Sequence, residues 1–96
     1  MPMEEKIKIR ESRYQAWTSL VRRSLDMREQ VKIMLEDNSM VRGIVIECSE
    51  TKKVMVHESN FRYSREIPWV VLVECENTWV ELKYSNILYF TTQQVY

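Results

Sequence analysis

The chain has no excess of charge of either sign, because 14 lysines and arginines balance 14 aspartates and glutamates. Without a net positive charge, the protein has no overall field that would attract nucleic acid whatever its sequence, although a local basic patch is compatible with the balance. The charge balance therefore favours proteins over nucleic acids as partners.

Residue types that bind metals or perform covalent catalysis are scarce. The chain has one histidine, His57, and two cysteines, Cys48 and Cys75, neither of which belongs to a CxxC pair. The histidine has no ligand-type residues at metal-binding spacing, and the chain has no phosphate-binding glycine loop or nucleophile–base motif. We expect no catalytic residue, no metal and no cofactor. Both cysteines lie in apolar strand-like segments, which favours reduced, buried thiols and a cytoplasmic or nuclear protein.

Long hydrophobic runs are also missing. No apolar run approaches the roughly 18 residues that a membrane span requires, and the polar start MPMEEKIKIR lacks the apolar core of a signal peptide. We expect a protein that is neither exported nor membrane-spanning. The chain does have 96 residues, 45% of them hydrophobic, which suffices for one domain with one modest core.

Glycine occurs once, at Gly43, inside a segment with strand-like alternation. Apolar residues alternate over 31–35, the turn formers 37–39 follow, and extended structure resumes after them. The stretch 31–56 therefore predicts three consecutive antiparallel strands. A glycine inside a strand marks a bend, so we expect a sheet that curls sharply, as a small β-barrel requires.

The segment before these strands has the apolar spacing of an amphipathic helix, predicted over about 12–27. Ser12 and Gln15 match a capping box at its start. Four arginines on the remaining surface predict a solvated basic face, and they are Arg13, Arg22, Arg23 and Arg28. The apolar stripe, which we expect to cover first of all the chain's own barrel, consists of Tyr14, Trp17, Leu20, Val21 and Leu25.

The second half of the chain has a less regular pattern at its beginning. Residues 57–67 predict a loop, and a strand is expected to start just after Pro68 because proline does not fit the middle of a paired strand. Two short strands follow, TWVELKY and NILYFTT, joined by a tight connection. The prediction is a mainly β single domain over 1–96, with the N-terminal helix followed by a strongly bent, five-stranded antiparallel barrel over about 30–92.

This layout resembles the Sm and LSm proteins, whose fold is an N-terminal helix followed by a bent five-stranded, SH3-like barrel. The resemblance covers nearly the whole chain and involves both motifs of the family. The spacing of the first motif is matched by Asp37, Asn38, Gly43, Val45, Cys48, Ser49, Lys52, Lys53, Val54 and Val56. The spacing of the second is matched by Leu82, Lys83, Tyr84, Ile87 and Tyr89.

The resemblance breaks down at the positions that bind RNA. In family members that bind uridine-rich RNA, an asparagine of the first motif and an arginine–glycine pair of the second form the base pocket. Here Lys52-Lys53 and Lys83-Tyr84 stand at those positions. An ammonium group lacks the acceptor with which an amide reads a base edge, and tyrosine prevents the close backbone approach that glycine allows. We expect the specific pocket to be lost, while lysine contacts to phosphates and stacking of Tyr84 on a base leave weak RNA contact as an alternative.

The resemblance also implies assembly through strand edges. Family members associate when the last strand of one subunit pairs with the fourth strand of its neighbour. We expect one such edge within 86–92 and the other within 69–82. The candidate residues for these edges are Trp69, Val71, Val73, Ile87, Leu88, Tyr89, Phe90 and Thr91.

Among degenerate Sm-like proteins, the chain is most similar to the Gemin subunits of the SMN complex, and to the seventh more than the sixth. This resemblance implies a non-catalytic subunit that helps assemble Sm proteins on small nuclear RNA. It would pair with a sixth-Gemin-like protein through a strand edge and contact further SMN-complex subunits through the helix stripe. The alternative is an RNA-binding LSm ring subunit acting in RNA processing or decay.

Overall fold

The computed structural model describes residues 7–92, so the two ends of the predicted 1–96 domain lie outside it. These residues form a mainly β, barrel-like fold with one N-terminal α-helix and a largely antiparallel sheet. The elements are β1 (Lys8–Arg10), α1 (Glu11–Met27), β2 (Val31–Leu35), β3 (Met40–Glu58), β4 (Phe61–Cys75), β5 (Thr78–Lys83), a 3-10 turn (Tyr84–Asn86) and β6 (Ile87–Thr92).

The helix occupies the predicted segment, but its first turn is formed differently from the prediction. The residue that precedes its first turn is Arg10, whose side chain makes no capping hydrogen bond, so the expected capping box at Ser12 is absent. At the other end Arg28 adopts the left-handed conformation, with φ 55° and ψ 36°. This conformation ends the helix and turns the chain towards β2, because it does not continue the right-handed backbone path.

The stretch 31–56 contains two strands instead of the predicted three. After β2 and its turn, β3 continues without a break for 19 residues. The register between β3 and β4 shifts at three places between Val45 and Thr51. Such bulges bend a strand and increase its twist, so the second and third predicted strands form one long, bent strand.

Gly43 lies where β3 is in register with both β2 and β4, opposite Val31 and next to the pair Ile44–Glu74. Its φ angle is not positive, so the backbone conformation itself does not require glycine. A Cβ atom at this position would instead overlap the backbone carbonyl of Glu74. Glycine is needed at the predicted bend because the β4 backbone approaches too closely for any side chain.

Residues 57–67 form a hairpin and not the predicted loop. Two residues, Ser59 and Asn60, make the turn between β3 and β4, with Ser59 at φ 46°. Pro68 lies inside β4, which corrects the prediction that a strand begins after it. Proline is tolerated here for two reasons. On one side, β5 pairs only with residues 70–75 of β4, so Pro68 has no partner there. On the other side, Pro68 lies opposite Thr51, next to a shift in the β3–β4 register.

The sixth strand, β1, was not predicted. It pairs in parallel with the far end of β3, in the register Lys8–Met55 to Arg10–His57. Three residues immediately before a helix carry little periodic signal, and their pairing depends on a distant segment. The sheet therefore has six strands instead of five.

The sheet curls but does not close, which corrects the prediction of a closed five-stranded barrel. The strand order is β5-β4-β3-β2-β6, so β5 and β6 are the outermost strands of this path. In a flat sheet of this order they would lie roughly 19 Å apart, whereas the four residue steps from Lys83 to Ile87 span at most roughly 14 Å. The short connection therefore requires a curled sheet, with α1 covering its interior.

Candidate functional site

Within the described residues, two strands of the sheet each have one edge that pairs with no other strand. β5 pairs only with β4, and β6 pairs only with β2. The backbone N–H and C=O groups on their outer edges are therefore able to pair with a strand of another chain. The predicted edge within 86–92 is β6, and the edge within 69–82 is β5.

Three candidate edge residues lie elsewhere, which corrects their assignment. Trp69, Val71 and Val73 belong to β4, which runs between β3 and β5. Val71 and Val73 are fully buried, and Trp69 is 7% exposed. A nearly continuous apolar strand is typical of a strand with a neighbour on each side and a covered face, so these residues form the core.

The β6 candidates divide between the two faces of the sheet. Ile87 is buried, and Phe90 packs inward opposite Ile33, while Thr91 is half-buried. Leu88 and Tyr89 are 53% and 54% exposed. Leu88 has no partner in β2 because the register shifts between Met34 and Leu35. This bulge places two large apolar side chains side by side on the surface of an open strand.

The edge strand β5 carries a third exposed apolar residue. Trp79 is 67% exposed and lies opposite Glu74, while Leu82 of the same strand points into the core. Burying a large aromatic side chain is worth roughly 1.5–3 kcal/mol, so Trp79 is costly to leave in water. The two open strands therefore each carry at least one large apolar side chain on the surface.

The helix stripe packs on the chain's own sheet, as first expected. Trp17, Leu20 and Val21 are buried in the core, so in this conformation they are not accessible to a partner. The indole Nε1 of Trp17 donates a 2.8 Å hydrogen bond to the carbonyl of Pro68. Only Tyr14, which is half-buried, and Leu25, which is 37% exposed, remain at the surface for helix docking.

Tyr84, the candidate for stacking on an RNA base, is buried in the core and only 8% exposed. Its ring centroid lies 5.5 Å from that of Trp17 and 5.6 Å from that of Trp69. The guanidinium of Arg13 lies over the same ring at 5.3 Å. Tyr84 thus fills the space between helix and sheet, and its ring has no open face on which a base could stack.

Three of the four candidate RNA-contact residues border one cleft of about 670 Å³. Lys52, Lys83 and Tyr84 line it together with β1, whereas Lys53 does not. Lys52 places its ammonium nitrogen 4.8 Å from the ring centroid of Trp69. The fold therefore brings together two lysines that are 31 positions apart in the sequence.

Arg13 and Ser24 are two structurally important residues whose roles the sequence pattern did not indicate. Arg13 was assigned to the solvated helix face, but it donates to the hydroxyl of Tyr84 at 2.6 Å and to the carbonyl of Ile87 at 3.2 Å. Ser24 is fully buried, accepts from the N–H of Val45 and donates to the carbonyl of Glu29. No local signal distinguishes either residue from its exposed neighbours.

A hydrogen-bonded cluster ties the start of α1 to the β3–β4 hairpin. The hydroxyl of Tyr63 donates to the carboxylate of Glu11 at 2.5 Å, which raises the pKa of Tyr63 to about 12 and lowers the pKa of Glu11. Hydrogen-bonding interaction with the neighbouring Glu11 carboxyl, together with its negative charge, raises the pKa of Glu58. The cluster is a structural tie between helix and hairpin.

The remaining reactive side chains form no recognisable chemical site in the described part of the chain. Cys48 and Cys75 are free and half-buried, and burial raises the pKa of Cys75. His57 has a buried Nε2 without a hydrogen-bond partner among residues 7–92. Within this range no three His, Cys, Asp or Glu side chains are grouped to hold a metal ion.

Among residues 7–92, no helix combines the length and hydrophobicity of a membrane span.

Comparison with known proteins gives no relative from which a function could be transferred. No family model, curated protein or solved structure matches the chain.

Proposed function

We propose that this chain is a non-catalytic Sm-like assembly subunit that heterodimerises through its strand edges. Its partner would be another Sm-like protein of the sixth-Gemin type, within an SMN-type complex that assembles Sm proteins on small nuclear RNA in the cytoplasm or nucleus. The observation that carries the proposal is the pair of open strands, β5 and β6, with Trp79, Leu88 and Tyr89 exposed on them.

The strand order supports the Sm-like part of this proposal. When β1 is left aside, the strand order is β5-β4-β3-β2-β6. The first strand after the helix, β2, therefore lies between the second, β3, and the last, β6. The curled sheet, the long bent β3 and the helix over the interior are features expected of a bent Sm-like barrel. Pairing β6 of one subunit with β5 of another would continue the sheet from chain to chain, as the family resemblance implies.

The environment of Tyr84 supports assembly over specific RNA binding. The side chain occupies space between Trp17 and Trp69, at a position where an RNA-binding family member has glycine. A subunit built in this way retains the edges needed for assembly and lacks the pocket that reads a base. The exposed part of α1, including Leu25, is the surface that we assign to contacts with further subunits.

Native mass spectrometry tests the proposal with the chain co-expressed with a sixth-Gemin-like protein. We expect a one-to-one heterodimer that Trp79→Ser or Tyr89→Ser weakens, because each variant removes an exposed apolar side chain from an open strand. Phe61→Ser is the matched control, since Phe61 is 71% exposed but lies at the β3–β4 hairpin turn. A heterodimer that resists both edge variants, or no heterodimer at all, would contradict the proposal.

The alternative function, an RNA-binding LSm ring subunit, has one observation in its favour. Lys52 and Lys83 border the same cleft, and Lys53 is exposed beside Lys52. Three phosphate contacts to single-stranded RNA would give a salt slope of about −2, so affinity would fall about twentyfold from 50 to 200 mM salt. Assembly through paired backbone and apolar side chains would change little over the same range. Oligouridine binding with that salt dependence would favour the alternative.

A further inference from the structure

The cleft beside β1 concentrates positive charge in a chain that is neutral overall. Five of its lining residues are basic and none is acidic, and the basic ones are Lys8, Arg10, Arg13, Lys52 and Lys83. The ion pair formed within residues 7–92 is Arg23–Glu29, so none of these five cations has a carboxylate partner among the described residues. Balanced composition therefore does not prevent an uncompensated local positive potential.

The backbone of β1 adds unpaired hydrogen-bonding groups to the same cleft. The carbonyl of Ile7 accepts from the N–H of Met55 in β3. Since the backbone groups of successive strand residues point to opposite edges, the N–H and C=O of Lys8 point away from β3. No strand in the described part of the chain pairs with that edge, and each residue from Ile7 to Arg10 lines the cleft.

The aromatic residues of the cleft do not provide a platform for nucleotide bases. Trp69 is 7% exposed and has Lys52 over its ring, and Tyr84 is 8% exposed with Arg13 over its ring. Sequence-tolerant binding of single-stranded nucleic acid depends on free ring faces that stack on bases. Cations next to an open strand edge, without such faces, instead match an extended peptide with carboxylate side chains.

We infer that this cleft binds an extended acidic segment of a partner protein, which adds as a strand beside β1 and pairs its carboxylates with the surrounding lysines and arginines. Among the described residues, Lys83 at the end of β5 is the one lining residue that belongs to either open strand, and no residue of β6 lines the cleft. The acidic segment would pair with the backbone of β1 and not with β5 or β6, so the inference goes beyond the strand-edge proposal. Its test needs no second Sm-like subunit, so it can fail without the heterodimer failing.

Fluorescence anisotropy at low salt tests this inference with a labelled peptide of alternating glutamate and valine or threonine. Its glutamine counterpart has the same length and strand propensity, and we expect it not to bind. Lys83→Glu should weaken binding of the glutamate peptide about three- to tenfold, because it replaces one attraction with one repulsion. Lys53→Glu should change the affinity less than about twofold. It is the matched control because it alters net charge equally at an exposed lysine outside the cleft.

Three outcomes would overturn the inference. The first is no binding of the glutamate peptide. The second is an equal loss of affinity in both lysine variants, which would show diffuse attraction instead of a site. The third is labelled oligouridine binding more tightly than the peptide and losing affinity with Lys83→Glu, which would assign the cleft to nucleic acid. Circular dichroism spectra and melting temperatures of the variants establish that each one is folded.

Discussion

Arg13 and Tyr84, which are 71 positions apart in sequence, are joined by a 2.6 Å hydrogen bond from the guanidinium Nε to the phenolic oxygen. A second nitrogen of the same guanidinium donates to the carbonyl of Ile87 in β6. Its charge also lies 5.1 Å from the ring centroid of Phe90. One helix side chain thus holds the 3-10 turn that links the two open strands, and it helps to keep the sheet curled.

The hydrogen bond from Arg13 to Tyr84 predicts an energetic coupling between the two residues. Tyr84→Phe should lower the free energy of unfolding by about 1.5–3 kcal/mol, because a partly buried hydrogen bond to a charged group is lost. Chemical denaturation of Arg13→Gln, Tyr84→Phe and the double variant should show that the two effects are less than additive. Arg22→Gln, at an exposed arginine of the same helix, is the control. Fully additive effects would exclude the coupling.

The two hydrogen bonds of the buried Ser24 hydroxyl predict a second effect on stability. Ser24→Ala removes the acceptor of the buried Val45 N–H and the donor to the carbonyl of Glu29. We expect a loss of about 1–3 kcal/mol in unfolding free energy, because a buried polar group is left unsatisfied. Ser19→Ala changes an exposed serine of the same helix and should have little effect. If urea denaturation finds the two variants equally stable, the hydrogen bonds of Ser24 do not contribute to stability.

Gly43→Ala should destabilise the fold, since its Cβ would overlap the Glu74 carbonyl. Overpacking of this kind typically costs about 1–3 kcal/mol, and here the obstructing group is backbone, which cannot rotate away. The measurement is the thermal unfolding of this variant beside Arg42→Ala, a change at the adjacent exposed residue. An unchanged melting temperature for Gly43→Ala would contradict the close approach of β3 and β4.

The contact of Tyr63 with Glu11 predicts a loss of stability at alkaline pH. The pKa of Tyr63 is raised from 10.0 to about 12 in the folded protein, so the folded state favours the protonated phenol. Its contribution is complete below pH 10 and is lost as pH rises from 10 to 12. The stability difference between the wild-type protein and Tyr63→Phe, measured by denaturation, should therefore be smaller at about pH 11 than at about pH 9. A difference that stays constant over that range would refute the contact.

Much of the secondary structure was predictable because it depends on local pattern. The helix occupies the predicted segment, since its apolar residues recur at helical spacing. The turn at Ser59 and Asn60 also coincides with turn-forming residues. The hairpin around this turn is not predicted because residues 57–66 include few apolar residues and so show no clear alternation. They form strands because the backbones of β3 and β4 pair with each other.

The candidate site was predictable only in part. Leu88 and Tyr89 lie on an open strand, as expected, whereas Val71 and Val73 belong to an inner one. Apolar character alone does not separate an inner strand from an outermost strand, because both can carry large apolar side chains. Which strands have two neighbours is decided by the path of the whole sheet.

Residue types and their spacing along the chain suffice to predict the helix, most of the strand-forming segments, the single small core and the balance of charge. The folded chain was needed to establish that β1 joins the sheet, that β5 and β6 remain open and that Tyr84 lies beneath Arg13. It was also needed to establish that Lys52 and Lys83 share a cleft. These features depend on contacts between residues far apart in sequence, and local preferences carry no information about which distant backbone will lie alongside.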